Sequence, residues 1–175
     1  TVHADQCSSK RIDVSVEEGN IYMKDISGFG TYECVRGDIL LKGVTGSIDL
    51  KSFSGNTVIE EARGKLNCDI STGSLTVKNS AIEKDSMLYA THGNILADFE
   101  KIGIAGGCRI MAAKGDIRVK LPDNNLSWAL AAKTTKGRIK NKMNPKPEWL
   151  ESVSPREAHG NAQGEGPLID IYVDN

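Results

Sequence analysis

Three groups of neighbouring acidic residues are the side chains in this sequence best suited to catalysis. They are Glu17 with Glu18, Glu60 with Glu61, and Asp98 with Glu100. Two carboxyl groups that flank a glycosidic bond can cleave it, because one protonates the leaving oxygen while the other activates water. No group recurs at an interval that would stack it on another together with a histidine or an arginine. We therefore expect solvated surface charge, and the alternative function is a carbohydrate-active β-helix enzyme that uses these carboxylates.

The triplet Arg36-Gly37-Asp38 matches the Arg-Gly-Asp sequence of integrin ligands. A glycine between charged residues is nevertheless common in this chain. Sister positions read Arg63-Gly64-Lys65, Lys114-Gly115-Asp116 and Lys136-Gly137-Arg138. An integrin ligand also needs a protruding loop. We expect the triplet to be a structural corner.

Few other residues suggest a site, and Trp149 is the one candidate for binding. It lies in a proline-rich segment, where its ring could stack on a sugar or on a partner, although packing against the fold is the stronger interpretation. The four cysteines, at positions 7, 34, 68 and 108, form neither a disulfide framework nor a zinc motif. Cys68 is expected to be a small buried hydrophobe. No catalytic residue, metal site or cofactor is predicted.

The charge balance excludes some partners. The chain of 175 residues has 22 basic and 23 acidic residues and a net charge of -1, which gives no basic excess for binding nucleic acid. No apolar run is long enough for a membrane span. Unpaired cysteines favour a reducing compartment, whereas the sequon Asn125-Leu126-Ser127 favours secretion. The two signals cancel, so no compartment is predicted. Because the chain begins at Thr1, we expect a fragment or a processed form.

A strict glycine repeat determines the predicted fold. A glycine recurs every nine residues at positions 19, 28, 37, 46, 55, 64 and 73. The second and fourth positions after each glycine are mostly apolar, and so in several units is the seventh, as at Ile26, Val44 and Phe53. Positions two apart in an extended chain share a face. Each unit therefore predicts one short strand and one corner, with the glycine at the corner because the backbone there needs a positive φ or a close approach.

Two such units are expected to make one turn of a solenoid, which stacks positions eighteen apart. The predicted inward columns are Ile21, Ile39, Thr57, Leu75, then Met23, Leu41, Ile59, Val77, then Tyr32, Leu50, Cys68. A polar column of Asn20, Asp38, Asn56 and Ser74 follows the glycines. The sequence thus predicts an all-β, single-stranded, right-handed parallel β-helix of eight or nine coils, about 40 Å long. A β-sandwich is the rival fold.

The domain is expected to be single, from 1 to 175. The repeat core runs from about 10, with Lys10 in a glycine position, to 140. After Gly73 the corner glycines are Gly93, Gly115 and Gly137, and a shift of 22 residues aligns Cys108 with Leu130. An irregular loop is predicted over 141–167, with a helical turn near 148–153, and a closing strand over 168–174. The open end there suggests end-to-end self-association.

The chain also resembles a known family. The runs Gly37-Asp38-Ile39, Gly46-Ser47-Ile48, Gly93-Asn94-Ile95, Gly115-Asp116-Ile117 and Gly137-Arg138-Ile139, with the tail Gly164-Glu165-Gly166 and Ile169-Asp170-Ile171, carry the likeness. They resemble the glycine-polar-isoleucine repeat of a bacterial family named for adhesins, which has uncharacterised animal relatives. The resemblance implies a right-handed β-helix and transfers no binding residue. The cysteines and the proline-rich loop favour an animal relative.

The leading functional hypothesis is a non-enzymatic, adhesin-like binding or structural module. It would present a flat, repetitive, polar face to a protein or a glycan. A third hypothesis is an assembly surface within a larger chain.

Overall fold

The computed structural model describes residues 1–83, 85–102, 108–120, 128–134, 150–154, 157–162 and 168–173. Within these residues the chain forms β-strands and no helix. One sheet, the first sheet, contains β1 (Val2–Asp5), β3 (Ile21–Lys24), β5 (Ile39–Lys42), β7 (Thr57–Glu60), β8 (Arg63–Gly64), β10 (Leu75–Ile82), β12 (Ile95–Ile102) and β14 (Ile117–Lys120). The second sheet contains β2 (Ser8–Glu18), β4 (Ser27–Arg36), β6 (Ile48–Ser54), β9 (Leu66–Thr72), β11 (Ser86–His92), β13 (Cys108–Lys114), β15 (Trp128–Thr134), β16 (Leu150–Ser154), β17 (Glu157–Ala162) and β18 (Leu168–Val173).

The strands stack in parallel, so the fold is a β-solenoid as predicted. The first sheet has the order β1-β3-β5-β7-β10-β12-β14, which means that the chain visits the second sheet between successive first-sheet strands. Ile21 pairs with Ile39 and Ile39 with Thr57, so one coil of two nonamers contains eighteen residues. Parallel ladders with this register are incompatible with a β-sandwich. The seven successive first-sheet strands enclose about six coils, fewer than the eight or nine predicted. The ten successive strands of the second sheet span roughly 43 Å, close to the predicted length.

The core consists of the predicted inward columns. Ile21, Ile39, Thr57 and Leu75 are all at most 1 % exposed, and the columns that begin at Met23 and Tyr32 are also buried. One hydrophobic cluster runs through the whole stack from Val16 to Ala112. Volumes are complementary within it: a Cβ on Gly30 would lie 2.5 Å from the ring of Tyr32, so this glycine makes room for the tyrosine.

The corner glycines satisfy both of the expected requirements. Gly55 has a φ of 136°, which side chains strongly disfavour. A Cβ at this position would also lie 2.0 Å from the carbonyl oxygen of Gly37, one coil earlier. Main chain therefore packs directly on main chain at this corner.

The two nonamers of a coil are not equivalent, which the repeat alone did not reveal. A second type of corner follows each short first-sheet strand, with a left-handed residue at Asp25 (φ 51°), Gly43 (φ 63°) and Glu61 (φ 56°). This corner turns Ile26 and Val44 into the core. Strand β6 has no such corner, so its side chains continue to alternate between the core and the solvent. Phe53 therefore points outward, with 47 % of its surface exposed.

The stack begins earlier than predicted. Strand β1 pairs with β3, and Val2 lies opposite Ile21. Between Ser8 and Arg11 the register of β2 against β4 shifts by one residue, and a Cβ on Gly28 would meet the carbonyl of Ser9. Ser9, not Lys10, therefore holds the glycine position. The extra residue hides this first coil from a search for a strict nine-residue period.

The C-terminal part also differs from the prediction. Strand β18 inserts in parallel between β13 and β15, so Ile169 lies between Cys108 and Leu130, which were expected to stack directly. The predicted loop 141–167 contains the antiparallel strands β16 and β17, and residues 150–154 are extended where a helical turn was expected. The pairing of β17 with β15 provides hydrogen-bond partners for backbone groups that an irregular loop would leave unpaired. The rest of that segment lies outside the described residues.

The stacked corner predicts a specific stability effect. Replacing Gly55 with alanine should lower the free energy of unfolding by about 2 to 4 kcal/mol, because it combines a disfavoured φ with a clash against the carbonyl of Gly37. Urea unfolding followed by circular dichroism measures this. The matched control is Ser54→Ala at the preceding exposed position, which should change stability by less than about 0.5 kcal/mol. Equal stability of the two variants would contradict the stacked corner.

Candidate functional site

The acidic groups predicted from the sequence lie apart and next to cations. Glu60, on β7, lies between Lys78, with its Nζ 3.1 Å away, and Lys42, with its Nζ 3.9 Å away. Glu61 also lies 3.5 Å from the Nζ of Lys42. Lysines on both neighbouring strands neutralise Glu60. Its neighbours across the strands are therefore cations, and not the second carboxyl group that glycoside cleavage would need.

Three of the four remaining acids follow the same pattern. Asp98 lies 3.2 Å from the Nζ of Lys120, and Glu100 lies 3.5 Å from a guanidinium nitrogen of Arg63. Glu18 pairs with Arg36 across β2 and β4. In the described part of the chain no three His, Cys, Asp or Glu side chains converge as a metal site would require. Glu17 is exposed, and the other five predicted acids are ion-paired surface positions.

Several of these ion pairs lie in one outward row of charged residues on the first sheet, which we call the charge ladder. It consists of Asp5, Lys24, Lys42, Glu60 and Lys78, which pair in register, and of the pair Asp98 and Lys120 on the next two strands. Asp5, Glu60 and Asp98 lie beside lysines of neighbouring coils and attract them, whereas Lys24 and Lys42 are adjacent like charges. Exposed pairs of this kind contribute only about 0.2 to 1 kcal/mol each. The ladder therefore fixes a charge pattern on the surface more than it stabilises the fold.

Beside the charge ladder runs a second outward column that is mainly apolar, which we call the apolar stripe. It consists of Tyr22, Leu40, Val58, Thr76 and Leu96, each on a neighbouring first-sheet strand. Leu96 is 43 % exposed and the other four are half-buried. The amide of Asn20 donates a hydrogen bond of 3.1 Å to the hydroxyl of Tyr22, which holds this ring in place.

Sequence reasoning missed the apolar stripe because it followed only the inward positions. The signal was present: all five residues occupy the third position after a corner glycine, at 19, 37, 55, 73 and 93. The other exposed large hydrophobic residues in the described chain are Phe53 and Met87. They lie on β6 and β11 of the second sheet and do not form a column. The stripe has five aligned residues, whereas the half-buried outward column Tyr89, Met111 and Tyr172 on the second sheet has three.

The polar corner column has a structural role. The side-chain oxygen of Asn20 accepts the backbone N–H of Asp38 at 2.9 Å, and that of Asp38 accepts the N–H of Asn56 at 2.7 Å. Asn56 and Asn94 accept the N–H groups of Ser74 and Asp116 in the same way. In the Arg-Gly-Asp triplet the carboxylate of Asp38 thus caps the next coil, while Arg36 pairs with Glu18. The repeat accounts for all three residues of the triplet.

A comparison with protein-family models identifies the domain. A model described as Toastrack DUF4097 matches residues 4–165, which is most of the chain. The chain belongs to the Toastrack DUF4097 family. No curated protein and no solved structure matches it.

Toastrack DUF4097 is a family of β-solenoid repeats without an assigned function, in agreement with the architecture described above. The match supports neither the adhesin name nor the animal origin that the resemblance suggested. The described residues of this Toastrack domain include no helix that is long and apolar enough to cross a membrane. Trp149, the candidate binding residue, lies outside the described residues.

The cysteines of this Toastrack domain are free thiols. Cys34, Cys68 and Cys108 are buried, which confirms the expectation for Cys68, and Cys7 is half-buried. Burial raises the pKa of the Cys68 thiol above its usual range and raises the pKa of Cys108 to about 12. A thiolate is the form that attacks electrophiles and binds metals. At neutral pH Cys68 and Cys108 are therefore neutral core residues.

The corner column predicts how the triplet responds to substitution. Asp38→Asn keeps an oxygen for the N–H of Asn56 and should leave the free energy of unfolding nearly unchanged, whereas Asp38→Ala should lower it by about 1 kcal/mol. Urea unfolding measures both variants. Cell attachment, measured in parallel, should be the same for the wild type and Asp38→Asn. If Asp38→Asn remained as stable as the wild type and lost cell attachment, the carboxylate would be a ligand and the structural interpretation would be wrong.

Proposed function

We propose that this domain is a non-enzymatic binding module whose first-sheet face, meaning the apolar stripe and the charge ladder together, docks onto a protein partner. The observation that carries the proposal is the alignment of Tyr22, Leu40, Val58, Thr76 and Leu96 in one outward column. Leu96 is 43 % exposed, although a free sheet face normally carries polar side chains. An apolar strip bordered by charges has the composition of a protein interface, with an apolar centre and a polar rim.

The charge ladder supplies orientation. Glu60 lies between lysines of both neighbouring strands and Asp98 lies beside Lys120, so the border of the stripe carries charges of both signs at fixed positions. Complementary charges on a partner set its register and speed its approach more than they raise its affinity. A glycan is a weaker fit, because stacking sites for sugars use exposed aromatic rings and the stripe has one, Tyr22.

The solenoid makes this face rigid before binding. Each stripe residue lies on a strand that is paired on both sides, from β3 to β12. A preorganised surface loses little conformational entropy on association. The same rigidity suits a structural module, and adhesion to a cell surface would be one special case of the proposed function.

The role of the stripe can be tested with matched variants. Leu40→Glu with Leu96→Glu should weaken the binding of a purified partner at least tenfold, because two apolar contacts are replaced by desolvated charges. The control is Phe53→Glu with Met87→Glu, which makes the same chemical change at the exposed hydrophobic residues of the second sheet. Isothermal titration calorimetry gives both dissociation constants, and thermal unfolding confirms that both variants fold. Equal weakening by the two pairs, or none by the stripe pair, would contradict the proposal.

The non-enzymatic part of the proposal has its own test. Because Glu60 and Glu61 lie against lysines, we expect no turnover of a panel of oligosaccharides above the uncatalysed rate. Reducing-end release over time measures this. Turnover that disappeared in Glu60→Gln or Glu61→Gln, with the fold intact, would establish the carbohydrate-active alternative.

A further inference from the structure

A second outward apolar feature lies on the second sheet, and we call it the tyrosine-methionine patch. It consists of Met87, Tyr89, Met111 and Tyr172 on the adjacent strands β11, β13 and β18. Tyr89, Met111 and Tyr172 are in register and half-buried, and Met87 is 37 % exposed. Tyrosine and methionine are enriched in protein interfaces, where tyrosine often contributes much of the binding energy. The patch therefore has the composition of an interface.

Beside this patch the same face of the second sheet is acidic. Glu33, Asp49 and Asp69 point outward from β4, β6 and β9, and Asp69 pairs in register with Tyr89. Lys51 lies between Glu33 and Asp69 in their column. Among the residues that the structure describes, none of these three carboxylates forms an ion pair. The acids of the charge ladder, in contrast, each lie beside a lysine.

The two outward faces of the solenoid carry opposite net charge. On the second sheet, the described side chains of the columns that begin at Asp13 and Ser15 include four acidic and two basic residues, a net charge of -2. On the first sheet, the rows that contain the apolar stripe and the charge ladder include five basic and three acidic residues, a net charge of +2. Complementary charge selects a partner and orients its approach. A basic partner is therefore directed to the second-sheet face.

The backbone of this face restricts the form of the partner. Each strand from β4 to β18 in the sheet order pairs on both sides, so its backbone groups are already used. An extended segment laid across the patch would bury its own N–H and C=O groups against apolar side chains without partners, which is unfavourable. A helix pairs these groups internally and can pack on a sheet through side chains alone. The face therefore favours a helix.

We propose that the second-sheet face binds a basic amphipathic helix of a partner protein, which lies along the stack. Its apolar side chains would cover the tyrosine-methionine patch, and its lysines or arginines would lie over Glu33, Asp49 and Asp69. Five strand spacings separate the strand of Glu33 from that of Tyr172. This distance is roughly 24 Å, the length of about sixteen helical residues. One turn of a helix is nearly as long as one strand spacing, so each turn can place a side chain on the next coil.

The acidic and apolar parts of the face meet at Asp69 and Tyr89. These two residues are in register on adjacent strands, about 5 Å apart. A lysine or arginine has an apolar stem and a charged end. Its stem can lie on the ring of Tyr89 while its charged end reaches the carboxylate of Asp69, and the ring itself also attracts a cation. A basic residue of the helix at this border therefore makes both kinds of contact.

Two synthetic helices test the binding. The first contains leucine, alanine and lysine over about eighteen residues, and the second has glutamate in place of every lysine. When the first peptide is added to the chain with isotope-labelled methionine methyl groups, the NMR signals of Met87 and Met111 should shift. The signal of Met23, which is 3 % exposed and lies in the core, should stay unchanged. The glutamate peptide should shift none of them.

Neutralising the acids tests the charge contribution. Glu33→Gln with Asp69→Asn should weaken binding of the lysine peptide about fivefold at low salt, because two opposite-charge contacts are lost. The matched control is Glu83→Gln with Glu100→Gln, at exposed positions outside this face, and it should bind as the wild type does. Titration calorimetry gives the dissociation constants. Added salt should weaken binding to the wild type more than binding to the neutralised variant.

A second pair of variants tests the apolar contribution. Tyr89→Ser with Met111→Ser should weaken binding of the lysine peptide at least tenfold. Leu40→Ser with Leu96→Ser makes a similar change in the apolar stripe and should leave this binding unchanged. Thermal unfolding shows whether each variant folds, and the neutralised variant, which keeps the size of every side chain, tests the proposal independently of the serine variants.

Three outcomes would overturn the proposal. They are no binding of the lysine peptide to the wild type at millimolar concentration, equal binding of the glutamate peptide, and equal weakening by the site variants and their controls. The test is separate from that of the proposed function, because the two faces lie on opposite sides of one core. A partner of the first-sheet face should bind the Tyr89→Ser, Met111→Ser variant normally, and the lysine peptide should bind the stripe variant normally.

Discussion

Direct contact between the main chains of successive coils is the constraint on which this structure depends. At the corner after each second-sheet strand, the carbonyl of one glycine fills the space that a side chain on the next would need, as between Gly37 and Gly55. Next to this glycine, a side-chain oxygen such as that of Asp38 accepts a hydrogen bond from a backbone N–H of the following coil. Because the corner permits only one vertical alignment, glycine stacks on glycine even where the coil lengthens from eighteen residues to twenty at Gly93 and twenty-two at Gly115. The ladders and the core follow from that alignment.

A fixed alignment of the corners places equivalent positions of successive coils in columns. Inward columns form a continuous apolar core, and outward columns form the apolar stripe and the charge ladder. A sheet of this kind can present a long, straight surface without loops, which suits binding better than chemistry that needs a cleft.

The sequence predicted those parts of the structure that depend on the local period. The columns headed by Ile21 and Met23 and the polar corner at Asn20 followed from spacing alone, because glycine and alternation are local signals. The repeat did not predict that Ile26 and Val44 are buried while Phe53 is exposed, since the left-handed corner, as at Asp25, has no fixed residue type. The insertion of β18 is a contact between distant segments, which no period encodes. At the candidate site, Lys42 and Lys78 stand eighteen residues on either side of Glu60, so its ion pairs could have been foreseen.

The most direct test of the stacking claim compares two deletions. Removing residues 38–55 deletes one full coil and joins Gly37 to Asn56, the same junction that Gly55 makes with Asn56 in the intact chain. Removing residues 47–55 deletes half a coil and shifts every later strand to the other sheet. Urea unfolding should show a cooperative transition for the first deletion and none for the second. A half-coil deletion that unfolded as cooperatively as the full-coil deletion would contradict the account.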